Sequence, residues 1–148
     1  MKTRIAAFVI AAIVAVNLSY SQTPASQRGE PQKKFATLEQ KVELTKKNLI
    51  MGLNSDNTGL IESCIKLAAK IKLYLPSTDI AKVQEVLDEL SITHRSPTVR
   101  YKAYIASNIC SDPEWYAQEN SVITADEDQF FINAAHRLQQ KLFGLNSF

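Results

Sequence analysis

Three features of the sequence predict an all-α chain. From Phe35 to Phe143 apolar residues recur at spacings of three and four, the period of one face of a helix. Prolines and clusters of Asn, Ser, Asp and Gly interrupt that pattern where helices start and stop. No stretch alternates apolar and polar residues as a half-buried strand does. The helices come as one long pair followed by two shorter ones, so the expected fold is a short α-solenoid of about three helix pairs.

The chain opens with a different signature. Lys2 and Arg4 precede Ile5 to Val16, an unbroken apolar run ended by Asn17, and Ser19 and Ser21 place small side chains before Gln22. That is the charged, apolar and small-residue order of a secretory signal. The run is shorter than the roughly 20 apolar residues that cross a bilayer, which favours cleavage near Ser21 over a retained anchor. Residues 1–21 are therefore expected to be removed, the protein to be exported to the periplasm or beyond, and the membrane to matter only during export. No cysteine lies near the cut to carry a lipid. Residues 22–34 are rich in Gln, Ser, Pro, Lys and Gly, with nothing apolar larger than Ala, and are expected to be a flexible segment. Residues 35–148 remain as the helical domain.

Within it, Phe35, Leu38, Val42, Leu49, Ile50 and Leu53 mark a first helix, with Thr45 filling a gap on the same face. Asn54, Ser55, Asp56, Asn57 and Gly59 stop it, because their side chains compete for backbone hydrogen bonds or tolerate left-handed geometry. A second helix is expected from Thr58 to Leu75, ended by Pro76. Ser77 or Thr78 is expected to cap a third, with Asp79 in its first turn and Ile80, Val83, Val86, Leu87 and Leu90 facing inward. Ser96 and Pro97 open a fourth helix reaching Cys110, and Asp112 and Pro113 open a short fifth through Gln118. The last runs from about Ala125 to Phe143, with acidic residues at its start and Lys141 near its end, as the helix dipole favours.

Residues 59–71 align without a gap on residues 97–109, an offset of 38 that places Ile61 on Val99, Ile65 on Ala103, Leu67 on Ile105, Ala68 on Ala106 and Ile71 on Ile109. A period near 40 built from helix pairs marks α-solenoids. Pro97, Val99, Arg100 and Ala103 resemble the opening of the second helix of a HEAT repeat. Leu49 to Leu53 followed by Ser55, Asp56, Asn57, Gly59 and Leu60 resembles small exported bacterial proteins with HEAT-like helical repeats. Glu62 departs from the pattern, standing where it would have arginine. The resemblance implies helix pairs stacked into a curved array that holds other proteins, and no catalytic residues.

The residues themselves are consistent with a binding role. Lys and Arg number 17 against 15 Asp and Glu, and loss of Lys2 and Arg4 would balance them. The basic residues are interspersed with acidic ones, unlike the basic face of a nucleic-acid binder, so nucleic acid is not an expected partner. Cys64 and Cys110 are an even count in an exported chain. If the second and fourth helices run parallel as repeat equivalents, however, the two cysteines are offset by roughly 12 Å along the axis, beyond the limit of about 7 Å between bridged Cα atoms. They are expected to be separate thiols. Neither stands at metal-ligand spacing. His94 and His136 lack a neighbouring carboxylate and nucleophile in sequence, and Asp126, Glu127 and Asp128 lack the glycine-containing acidic loop of a calcium site. Catalytic, cofactor and metal residues are accordingly expected to be absent.

Trp115 and Tyr116, beside the Asp112 and Pro113 start, are the candidate interaction surface. They could form a stacking platform, or pack the last helix pair. The expected function is an exported, non-enzymatic interaction or scaffold module whose partner is another protein. A self-associating envelope protein, or an enzyme with a site assembled from distant residues, are the alternatives, and the sequence leaves the oligomeric state open.

Overall fold

The computed structural model describes residues 37–118, 122 and 126–144. The expected signal at 1–21 and flexible segment at 22–34 lie outside them. The described residues are all-α, with six helices and no strand: α1 Leu38–Leu53, α2 Thr58–Tyr74, α3 Ala81–Thr93, α4 Pro97–Ser111, α5 Pro113–Ala117 and α6 Glu127–Phe143. Among them no helix is long and apolar enough to cross a membrane. The chain divides into two units, Met1–Lys47 and Asn48–Phe148, and α1 runs through the division. In the described part of the first unit, Thr37 Oγ1 accepts from the Gln40 N–H at 3.3 Å and Thr45 Oγ1 donates to the Lys41 carbonyl at 2.8 Å.

Local chemistry explains most boundaries in the second unit. Asn54 donates its side-chain amide to the Ile50 carbonyl at 2.8 Å, satisfying an acceptor at the end of α1. Asn57 then caps α2, its Oδ1 accepting from the Leu60 N–H at 3.2 Å. Ser96 and Asp112 cap α4 and α5 ahead of their prolines, and Asp126 Oδ1 accepts from the Gln129 N–H at 3.0 Å at the start of α6. Gly144 ends α6 with φ of 62°, the left-handed conformation that a residue without Cβ adopts at little cost.

The start of α3 differs from expectation. Ser77 and Thr78 do not cap it; the helix begins at Ala81, whose N–H donates to Asp79 Oδ1 at 3.0 Å. The loop carbonyls are committed elsewhere, because Lys72 Nζ folds back to those of Pro76 and Thr78 at 2.6 and 2.9 Å. An ammonium bound to carbonyls at the helix end offsets the negative pole of α2.

α4 is the centre of this unit, packed against α2, α3, α5 and α6. With α3 it forms an antiparallel hairpin: Gln84 Nε2 donates to Ser111 Oγ at 2.8 Å, and one turn along α3 and one turn back along α4 Ser107 Oγ donates to Asp88. α2 carries the other large contact with α4. Ala68, Ala69, Ala103 and Ala106 are all fully buried, and side chains this small permit close approach of helix backbones. Four of the five positions matched by the offset of 38 are buried on both helices, and in the fifth Leu67 is half-buried where Ile105 is buried. α4 gathers its own pair partner α3 and helices of the pairs before and after it, as a solenoid allows. The contact of α2 with α5, by contrast, joins the first pair to the third, which a regular solenoid, built on neighbouring repeats alone, does not make.

Gathering four neighbours widens the buried arc of α4 beyond its apolar stripe. Lys102, on the flank of that stripe, reads as a solvent-facing position and is instead buried. Its stem lies within the packing, and its ammonium reaches Glu62 Oε2 at 2.7 Å and sits 5.3 Å from the centre of the Phe131 ring. Phe131 meets Phe130 edge to face at 5.1 Å, a favoured aromatic geometry.

Candidate functional site

α5 places the two aromatics that the sequence marks as a surface. Asp112 Oδ1 accepts from the Trp115 N–H at 3.4 Å, while Oδ2 accepts from Lys141 Nζ at 2.6 Å, tying the start of α5 to the end of α6. The Lys141 hydrogen bond, ahead of the Trp115 N–H, holds the Asp112 carboxyl below its ordinary range against the opposing effect of desolvation.

Trp115 is engaged on both its face and its edge. Its Nε1–H donates to the Arg137 carbonyl at 3.2 Å, Arg137 Nη2 donates back to the Trp115 carbonyl at 2.7 Å, and the guanidinium lies 4.1 Å from the ring centre. Arg137 also donates to Gln118 and Gln140. Tyr116 is fully buried. Its phenol is pushed up to about 12, chiefly by burial, with the charges of Asp112 and Tyr104 adding and Arg137 opposing. In the structure Tyr116 is thus enclosed against the last helix pair, while Trp115 stays half-buried with the Arg137 guanidinium over its ring.

Exposed aromatics occur elsewhere. Tyr101 and Tyr104 are 49% and 47% exposed and sit one turn apart on α4. They stand opposite Val99, Ala103 and Ala106, all fully buried. The signal was present in the spacing: both tyrosines fall off the stripe traced by Val99, Ala103, Ala106 and Cys110.

The nucleophilic and ligating residues stay apart. Cys64 and Cys110 are buried free thiols. Burial raises the pKa of both, that of Cys110 to about 12 with the charge of Lys72 opposing and that of Asp88 adding. A thiol held protonated at neutral pH is a poor nucleophile. His94 uses Nδ1 to accept from the Ser96 N–H at 3.1 Å, bracing the loop before α4, while His136 is exposed on α6. Arg100 braces the same loop by donating to the carbonyls of His94 and Arg95 at 2.7 and 3.3 Å. Among the described residues no group of three or more His, Cys, Asp or Glu could hold a metal ion. This arrangement offers contact surface: two tyrosines and charged side chains carried on tightly packed helices. No protein-family model, curated protein or solved structure matches the chain.

Proposed function

We propose that the chain is an exported, non-enzymatic interaction module in which HEAT-like helix pairs present one face to a partner protein. The observation that carries the binding role is the exposure of Tyr101 and Tyr104 on the helix that is otherwise the most enclosed. Tyrosine supplies a large apolar face with a polar tip and few rotatable bonds, and for that reason is enriched at interfaces. Rigid support from α2, α3, α5 and α6 lowers the ordering cost of presenting it. The shared burial of matched positions in α2 and α4 supports the repeat reading. Lys2, Arg4, the apolar run from Ile5 to Val16 and the small Ser19 and Ser21 support export.

Two experiments test this reading. A reporter carrying residues 1–30 should leave the cytoplasm and be processed near Gln22; a retained, full-length reporter removes the export half. Affinity capture from the native envelope should recover a partner with the wild-type chain and lose it with Tyr101→Ser/Tyr104→Ser. Retention by the double variant would remove the tyrosine face from the interaction. Light scattering on the purified chain separates a foreign partner from a second copy of the chain.

A further inference from the structure

The sequence places Glu62, Lys66 and Lys70 at successive i,i+4 positions of α2. On an isolated helix Glu62 would pair with Lys66 in the favourable orientation. The tertiary structure directs it elsewhere, because Glu62 is bound at 2.7 Å by Lys102 from α4. Lys66 and Lys70 remain as adjacent cations, both half-buried, with no ion pair to any described residue. Like charges at this spacing destabilise a helix. Burial, followed by the charge of Lys66, lowers the pKa of Lys70.

The neighbouring lysine shows what is missing. Two adjacent rings of α6 each carry an ammonium: Lys102 stands 5.3 Å from the centre of Phe131, and Lys70 stands 5.8 Å from the centre of Phe130. Lys102 has a carboxylate, Glu62, completing its surroundings. Lys70 has a ring and a second cation. Tyr74, one turn beyond Lys70 on the same face and half-buried, adds a phenol able to donate to an anion.

We propose that Lys70, above the Phe130 ring, and Lys66, one turn before it on α2, form the docking site for a carboxylate on an acidic segment of a partner protein, which takes beside Lys70 the place that Glu62 takes beside Lys102. The proposal rests on the interaction-module reading and names the partner's chemistry. Two lysines match one or two carboxylates, whereas nucleic acid is held by a broader basic surface that neutralises many phosphates.

The test is fluorescence anisotropy of a labelled short glutamate peptide titrated with the full chain. Binding is expected and should weaken as salt is raised, since the lysines are only half-buried. Lys66→Gln/Lys70→Gln should weaken it by roughly tenfold, the loss of a charge-assisted contact. Lys82→Gln, which removes an exposed charge from α3, should leave it within about twofold, as a surface change does. Thermal melts should place the double variant no lower than wild type, because it relieves a like-charge pair. If the double variant melts lower, the same titration on Lys66→Gln alone decides, with a severalfold loss expected and wild-type affinity overturning the proposal. Absence of peptide binding, an equal loss with Lys82→Gln, or tighter binding of an oligothymidylate of matched charge through the same lysines would each overturn it. Should the peptide fail while Tyr101 and Tyr104 still govern partner capture, the acidic docking site falls and the interaction reading stands.

Discussion

Lys102 and Glu62 show how a residue's environment departs from its type. Their side chains are only 11% and 21% exposed, so each charge depends on the other for what water would otherwise supply. Glu62→Gln should leave the Lys102 ammonium buried without a counter-charge and cost about 1 to 3 kcal/mol in urea melts, less than for a fully enclosed pair because water still reaches both groups. Glu62→Gln/Lys102→Met should recover much of that loss, since the apolar side chain removes the stranded charge. A double variant as unstable as the sum of its singles would show the two sites to be uncoupled. The thiols provide a second residue-scale expectation. The pKa of Cys110 is raised from an unfolded value of about 8.5 to about 12, so its contribution to stability is present below the former and lost as pH rises toward the latter. At neutral pH both cysteines should resist a thiol reagent in the folded chain and react after denaturation, and mass spectrometry should find them unlinked. Prompt labelling of the native protein would contradict their burial.

At the scale of elements, close approach is decided by one glycine. A Cβ built on Gly52 in α1 would lie 2.3 Å from Cys64 Sγ in α2, nearer than unbonded atoms tolerate. Gly52→Ala gains helix propensity of up to about 1 kcal/mol, yet overpacking of this kind costs about 1 to 3 kcal/mol; net destabilisation is expected in urea melts. Adding Cys64→Ala should relieve the clash, and a double variant no more stable than Gly52→Ala would show that the sulfur is not the obstacle. Caps behaved more predictably than contacts. Asn57, Ser96, Asp112 and Asp126 each cap a helix with their own side chains, because a cap needs only the geometry of the next three residues. The start of α3 is the exception: the loop after α2 is organised by Lys72, a residue outside the loop. The partners of α5 were hidden for the same reason, since Arg137 and Lys141 lie 22 and 29 residues from the groups they hold.

Across the second unit, α4 is the element packed against α2, α3, α5 and α6, and Ile105 is enclosed within it at 1% exposure. Ile105→Ala should therefore cost roughly 2 to 5 kcal/mol through lost burial and an incompletely closed cavity, a large share of a total near 5 to 15 kcal/mol. Urea melts followed by circular dichroism measure it, and a loss within about 0.5 kcal/mol would place Ile105 at the surface. Lys82→Ala, at an exposed position of α3, serves as the control and should change stability by less than about 0.5 kcal/mol.

The sequence by itself determined the helical class, most of the helix boundaries and the inward faces of α2, α3 and α4. These depend on periodicity, caps and prolines, whose physics acts within a few residues. Only the tertiary structure decided which helix is central, that Glu62 pairs with Lys102 rather than Lys66, and that Tyr116 is enclosed while Tyr101 and Tyr104 face solvent. An amphipathic stripe says that a face is covered without saying by how many neighbours. Helices that converge on α4 bury its flanks as well as its stripe, and a long side chain takes the counter-charge that three dimensions bring nearest.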